Sequence, residues 1–324
     1  MSKNIKKVKI ISGSTHKAFA ERVAERIGIK LTKAEVSRHS DTETFFEIKE
    51  SIRDKHVFII QSKNSDINDN IMELLIMIQT CKLASARRIT AVITYFPYSR
   101  QDKKTRSRSP ITAKIIANIL ERAGVDHIIT MDLHSPQIQG FFNIPVDNLF
   151  AEPSIISYIK ESIAEWREAV IVSPDAGGAK RVTSIATKMK LDFAIIHKQK
   201  HSSSKVQSVN LVGNVRQRTA IIIDDLADTC QTLIKAIKKL KEMNASKVYA
   251  IVTHGILSGQ ALKLINSSLI EKLVVTNTIP QEDNGKHCIK LSILDVTPVF
   301  AEAIRRTFTG ESVSYLFTND PVIH

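Results

Sequence analysis

Aromatic side chains are scarce in this chain, with one Trp and five Tyr among 324 residues. Stacking platforms for single-stranded nucleic acid are therefore poorly supplied. Cysteine is scarce too: Cys81, Cys230 and Cys288 are widely spaced and match neither a zinc pattern nor a disulfide framework, which points to a reducing compartment. No apolar run is long enough to cross a bilayer. The most apolar stretch, IMELLIMIQTCKLASA (71–86), is interrupted by Glu73 and Lys82 and reads as a core helix. The N-terminal MSKNIKKVKIISGS has too short an apolar segment for a secretory signal and lacks a small-residue cleavage site. Low-complexity sequence is limited to HSSSK (201–205), a flexible loop by composition. Together these absences predict a cytoplasmic protein without a membrane partner.

Acidic residues are in deficit, 33 against 46 basic ones, a net charge of +13. That balance favours anionic partners: nucleic acid, an acidic membrane surface or phosphorylated small molecules. An ordinary basic surface would give the same number. No Lys/Arg block is long enough for a nucleic-acid arm, so a nucleic-acid partner is not expected. The hydrophobic fraction of 43% is enough for a large core, and the length suits two domains.

Short β-branched runs recur, and longer helical patterns follow them. KVKIIS (7–12) precedes a helix over 16–28, HVFIIQ (56–61) one over 70–86, and RITAVITYF (88–96) one after Pro110; HIITMDL (127–133) closes the first set. AVIVSP (169–174), DFAIIH (192–197), TAIIIDDL (219–226), KVYAIVTH (247–254), KLVVTNT (272–278) and KLSILDV (290–296) form a second. Near-continuous apolar strands alternating with helices predict parallel sheets covered on both faces. Two such sets predict two α/β domains, 1–150 and 151–324.

Ligands of open parallel sheets gather at the strands' carboxyl ends. There the chain carries SGSTH, SPDAGGAKR, MDLH, HKQK and DDLADTCQT. In IIIDDLADTCQT (221–232), Asp228, Thr229 and Thr232 can cap the next helix, whose exposed N–H groups make an anion site. Asp224 and Asp225 are poor neighbours for a phosphate unless each holds a polyol hydroxyl or a metal, and a phosphate flanked by hydroxyls describes a sugar phosphate. Simple capping of loop N–H groups is the alternative. In SPDAGGAKR, Gly177 and Gly178 would turn N–H groups toward an anion while Lys180 and Arg181 add charge; a sterically tight turn would also need glycine. MDLH sets Asp132 and His134 on one face of an extended segment, suited to Mg²⁺ and a phosphate contact or to a buried hydrogen-bonded pair. FPYSRQDKKTRSRSP (96–110) is a basic loop placed to close on a polyphosphate, or else a solvated charge run.

SPDAGGAKR, MDLH, FPYSRQDKK, VVTNTIPQED (274–283), IIIDDLADTC and GESVSYLF (310–317) together resemble the ribose-phosphate pyrophosphokinase family, the phosphoribosyl-pyrophosphate (PRPP) synthetases, and look closest to the animal enzymes. The likeness covers essentially the whole chain. It implies two phosphoribosyltransferase-like α/β domains, the C-terminal segment 303–318 packing back on the first. It also implies transfer of the β,γ-diphosphoryl group of MgATP to the 1-hydroxyl of ribose 5-phosphate, giving PRPP and AMP. The resemblance assigns catalysis to Lys198, Lys200 and Arg100, and ATP binding to Arg100, Gln101, Asp102, Lys103, Lys104, Thr105 and His134. A hairpin tip from a neighbouring subunit (His39, Asp41, Glu43) would hold adenine. Ribose 5-phosphate falls to Asp224, Asp225, Asp228, Thr229, Cys230, Gln231 and Thr232, and pyrophosphate to Asp175, Ala176, Gly177 and Gly178. Asp132, His134, Asn143 and Asp147 match metal positions, with Mg²⁺ as the expected cofactor. Ser51, Arg53, Gln139, Ser312, Ser314 and Phe317, with Asp147, match a regulatory site for phosphate and ADP. Homodimers building hexamers are implied, as are hetero-oligomers with related subunits.

The chain departs from the family pattern at several of these positions. Lys198-Gln199-Lys200 stands for Lys-x-Arg, losing a bidentate fork. Gln231 stands for a glycine, His39 for a phenylalanine, Asp41 for an asparagine, Thr105 for an aspartate, Asn143 for a carboxylate and Phe150 for a tyrosine. The Lys200 and Gln231 changes are expected to reduce activity. The alternative they leave is a catalytically weak paralogue that regulates synthetase oligomers.

Overall fold

The computed structural model describes residues 7–200 and 207–321, which group into two compact units. Unit 1 runs to Ala151 and takes in Thr278–Pro280 and the chain from Val296 onward; unit 2 is Glu152–Asn277 with Gln281–Asp295. The division is therefore not a single cut near residue 150, because the chain returns to unit 1 twice.

In unit 1, β1 (Val8–Ser12), β4 (His56–Gln61), β5 (Arg88–Ile93), β6 (His127–Met131) and β7 (Val146–Leu149) form a parallel sheet in the order β1-β4-β5-β6-β7. Its strands are buried on both faces, as their unbroken apolar runs require. Helices α1 (Lys17–Ile27), α2 (Ile67–Leu83) and α3 (Thr112–Ala123) connect them, and β2 (Ala34–Arg38) with β3 (Thr44–Ile48) make a separate antiparallel hairpin. Helix α1 buries Phe19, Ala20, Val23 and Ala24, and Gly28 ends it in the left-handed conformation at φ 82°. The last helix, α9 (Thr297–Thr309), packs on α1, with Phe300 edge-on to Phe19 at 5.4 Å.

In unit 2, the sheet order is β10-β9-β8-β11-β12-β13-β14, from β8 (Val170–Ser173), β9 (Asp192–Lys200), β10 (Gln207–Val212), β11 (Ala220–Ala227), β12 (Val248–Gly255), β13 (Lys272–Thr276) and β14 (Leu291–Leu294). All neighbours are parallel except β9 and β10. Helices α4 (Glu152–Ser162), α5 (Ala179–Met189), α6 (Gln231–Glu242), α7 (Ala261–Ser267) and α8 (Glu282–His287) accompany them. The chain leaves β8 toward β9 on one side and resumes at β11 on the other. That reversal opens a crevice at the carboxyl ends of β8 and β11, the place where open α/β sheets take ligands.

Candidate functional site

The loop after β8 and the end of β11 meet at this reversal. Ile221, Ile222 and Ile223 are fully buried, so β11 is anchored, and it continues through the acid pair to Ala227 rather than ending before it. Asp225 is buried and Asp224 half-buried; the Asp225 N–H donates to Asp224 Oδ1 at 2.9 Å. Burial, then the adjacent charge of Asp225, pushes the Asp224 carboxyl up to about 8, opposed by the Arg181 guanidinium. Arg181, in the first turn of α5, sets Nη1 3.4 Å from Asp225 Oδ1 and 3.7 Å from Asp224 Oδ1. Beyond the pair, Asp228 is fixed by a neighbouring loop: Ser258 Oγ donates to its carboxylate, and the Ser258 N–H donates to its carbonyl at 3.1 Å.

The left-handed residue of this loop is Cys230, φ 60°, at the N-cap of α6. Gln231 is the first residue of α6 and is not among the positive-φ residues. A side chain there meets no backbone strain, and the cost tied to a glycine position falls on Cys230 instead. Burial, then Asp228 and Cys288, raises the Cys230 thiol to about 12, so it is not a nucleophile. Thr229, Gln231 and Thr232 are exposed around the helix start.

In the β8 loop, the Asp175 carboxylate accepts the N–H groups of Gly177 (2.9 Å) and Gly178 (3.1 Å). The donors expected to face an anion are thus held by the loop's own acid. Neither glycine has positive φ. A Cβ at Gly178 would lie 2.7 Å from Ser173 Oγ, so that hydroxyl would have to turn away from its bond to the Asp175 carbonyl. For β9, the backbone places Lys198 opposite Val209 and Lys200 opposite Gln207; the side chains of Lys198 and Lys200, like the 201–205 loop, lie outside the described residues.

The remaining predicted residues belong to unit 1. His39, Asp41 and Glu43 form the exposed tip of the β2–β3 hairpin, closed by His39 N–H to the Glu43 carbonyl at 2.9 Å. The 97–111 segment is irregular, with Arg100, Gln101, Lys103, Lys104 and Thr105 exposed and Asp102 half-buried. Gln101 caps α3: its carbonyl accepts the Ala113 N–H (3.1 Å) and its side chain the Thr112 hydroxyl (2.5 Å). Strand β6 ends at Met131, and Asp132 has φ 41°. The alternation expected for MDLH therefore fails: Asp132 is buried, its Oδ2 accepting the Ala151 N–H at 3.3 Å, while His134 is exposed. Ser51 and Arg53 are exposed before β4, and Gln139 donates to the Pro136 carbonyl at 3.2 Å. Ser312 Oγ caps the 313–317 turn through Ser314 N–H, and Phe317 lies edge-on to Phe150 at 5.3 Å.

Residues 8–124 match the model of the N-terminal domain of ribose phosphate pyrophosphokinase, and residues 198–318 match that of the phosphoribosyl synthetase-associated domain. The phosphoribosylpyrophosphate synthetase of Mycobacterium smegmatis aligns at 36% identity over 94% of this chain and 99% of its own, with a TM-score of 0.88. The chain belongs to the ribose-phosphate pyrophosphokinase family. Shorter matches reach a purine phosphoribosyltransferase from Pyrococcus horikoshii (19% identity, 31% of this chain and 69% of that one, TM-score 0.26) and an APRTase from Giardia lamblia (14%, 45% and 76%, TM-score 0.30).

For this pyrophosphokinase, the four expected metal positions do not make one centre. The Asn143 backbone N–H and side-chain amide both donate to the Glu121 carboxylate, and Asp147 pairs with His127 Nε2 at 3.0 Å, toward the start of β6. Among the described residues, no group of three or more His, Cys, Asp or Glu is placed to hold a metal. A resident Mg²⁺ on this set does not fit the donors present. Sequence reasoning gave Arg181 only to the phosphate loop and missed its place beside the acid pair, because a period-3.6 helix says nothing of which strand lies beneath it. It also missed Ser258. Glu73, noted only as a break in an apolar run, is buried: it accepts Ser14 N–H (2.7 Å), Ser14 Oγ (2.6 Å) and Gln61 Nε2 (2.9 Å) at the loop after β1. A lone acid inside an apolar helix was the available signal.

Proposed function

We propose that the protein is a ribose-phosphate diphosphokinase acting on MgATP and ribose 5-phosphate. The observation that carries this is the Asp224–Asp225 pair at the β8/β11 reversal, one loop before the N-terminus of α6. In this reading the carboxylates accept hydrogen bonds from the ribose 2- and 3-hydroxyls, while Asp228, Thr229, Cys230, Gln231 and Thr232 with the helix N-terminus hold the 5-phosphate. The sugar's 1-hydroxyl oxygen attacks the β-phosphorus of ATP, its proton is lost, and the α–β bridging bond breaks to release AMP. Such transfer needs positioning and charge stabilisation more than covalent help. Arg100, Lys198 and Lys200 supply charge, with Gln101, Asp102, Lys103, Lys104, Thr105 and His134 completing the ATP contacts. Mg²⁺ enters with ATP as part of the substrate.

Two local arrangements must open for this. Asp175 must release Gly177 and Gly178 before those N–H groups reach a diphosphoryl group, and Gln101 must exchange its bonds to α3 for ATP. Lysine at position 200 keeps charge without the fork, which lowers turnover more than sugar affinity. The adenine contact through His39, Asp41 and Glu43 requires a second subunit, within dimers or hexamers. Phosphate and ADP act through Ser51, Arg53, Gln139, Asp147, Ser312, Ser314 and Phe317.

The test is incubation of the purified protein with MgATP, ribose 5-phosphate and phosphate, followed by chromatography. Stoichiometric AMP and PRPP are expected. Bound ribose 5-phosphate without product would instead favour the catalytically weak regulatory paralogue.

A further inference from the structure

Two adjacent carboxylates in a half-buried crevice cannot easily both stay ionised. Asp224 faces the charge of Asp225 on its own strand and Arg181 from α5. Its register partner on β12 is Val252, and the β8–β11 ladder ends at Ile222, so neither adjoining strand sets a charge opposite it. Arg181 therefore supplies the counter-charge. One nitrogen, Nη1, lies within 4 Å of both carboxylates, bridging them rather than gripping one.

Lys180 and Arg181 are neighbours on the first turn of α5, but they differ. Lys180 is exposed, whereas Arg181 is half-buried and turned to β11. An arginine so engaged is not presented to an anion in the β8 loop.

We propose that Arg181 is a positioning residue that favours the ionised form of the Asp224–Asp225 pair and orients it to accept the sugar's hydroxyls, linking the loop after β8 to the polyol end of the site. This rests on the reading of the pair as the ribose contact. Charged acceptors bind hydroxyls more strongly than protonated ones, so loss of Arg181 weakens sugar binding most where the pair takes up a proton. The direction agrees with the raised Asp224 value and the opposing pull of Arg181.

Two readouts on the full-length protein test it. The first follows aspartate side-chain ¹³C signals against pH, with Asp224 assigned by its loss in Asp224→Asn. The second measures ribose 5-phosphate binding by calorimetry between pH 6 and pH 9, set as about the range of the titration. Arg181→Met is expected to raise the Asp224 midpoint by about one pH unit or more. It should also weaken binding about tenfold at neutral pH and recover toward the native affinity at alkaline pH. Arg181→Lys should fall between, and it carries the test if Arg181→Met does not fold. An unmoved midpoint overturns the proposal, as does weakening by the same factor at every pH, which would make Arg181 an anion contact. A moved midpoint in a protein that binds no ribose 5-phosphate would leave Arg181's role in place and remove the ribose reading instead.

Discussion

In unit 1 the loop after β1 meets Glu73, whose carboxylate takes the Ser14 N–H, the Ser14 hydroxyl and the Gln61 amide. In unit 2 the loop after β8 stands beside Asp224, Asp225 and Arg181, and its N–H groups are held by Asp175, an exposed acid on the loop itself. Both units thus place a strand-end loop and a helix at the edge of a parallel sheet, and both satisfy the loop with an internal carboxylate. In unit 1 that carboxylate is buried on a helix and fixed by three donors, so the position is sealed. In unit 2 it can rotate into solvent. The strand order explains more: β1 is followed in its sheet by β4, β5, β6 and β7 without reversal, whereas β8 lies between β9 and β11. In the proposed function, one α/β edge serves as scaffold and the other as the site.

The largest expected effect on binding falls on the open edge. Asp225→Ala removes a charged acceptor and should weaken ribose 5-phosphate binding roughly 10- to 100-fold, read by calorimetry at pH 8 or above, where the Asp224 carboxyl is about half ionised or more. An unchanged Kd would remove the distinction between the two edges. On the sealed edge, Glu73→Ala leaves three donors without an acceptor and should cost about 3 kcal/mol of stability in urea unfolding. A loss below about 0.5 kcal/mol would show that water replaces the carboxylate and that the edge is not sealed.

Next in size, Asp224→Asn should stabilise the protein by about 1–2 kcal/mol at pH 8 while, if the pair is the ribose contact, impairing sugar binding. The folded carboxyl ionises near pH 8, and its ordinary value is 3.8. The native chain therefore holds a proton across that window that the unfolded chain has released. Its contribution is full at low pH and is lost as pH rises toward 8. Urea midpoints compared at pH 5 and pH 8 check this, about the two ends of the window; a variant equally displaced at both would contradict it. The smallest effect belongs to Gln231→Gly. Gln231 opens a helix in ordinary geometry, so the Kd for ribose 5-phosphate should stay within about twofold, a change of under 0.5 kcal/mol. Tenfold tighter binding would mean that phosphate sits against its Cα.

The ten apolar runs all became strands because consecutive β-branched and aromatic residues favour extended backbone, whether the strand is buried on both faces like β5 or partly exposed like β9 and β14. The strands β7 and β10 were not legible, and β2 and β3 only through the family's hairpin at 39–43: AEVSR and VDNL carry polar residues at half their positions, and hairpin pairing rather than burial makes β2 and β3. At the site, the acid pair and the glycine loop could be read from residue type at strand ends. The partner of the pair could not, because Arg181 reaches it only after β8 and β11 become neighbours across some fifty residues of chain. MDLH misled for a different reason. Two-residue alternation holds only while backbone stays extended, and Asp132 at φ 41° ends it. The glycine question was misplaced by one residue, since the left-handed turn is made at Cys230.

The return of α9 to unit 1 also sets an order of events during synthesis. The apolar face of α1, with Phe19, receives Phe300 from a helix that begins at Thr297, and the carbonyl of Thr278 receives hydroxyls from Ser62 and Thr94 at 2.6 and 2.5 Å. A ribosome that has finished Ala151 must translate through Asn277 before Thr278 exists and through the rest of unit 2 before α9 does, a wait for the helix of roughly 10–30 s at usual elongation rates. The first unit to be made is thus the last to be completed. Its nascent form carries an uncovered apolar helix face through that interval, which makes it the natural client for a chaperone on the growing chain.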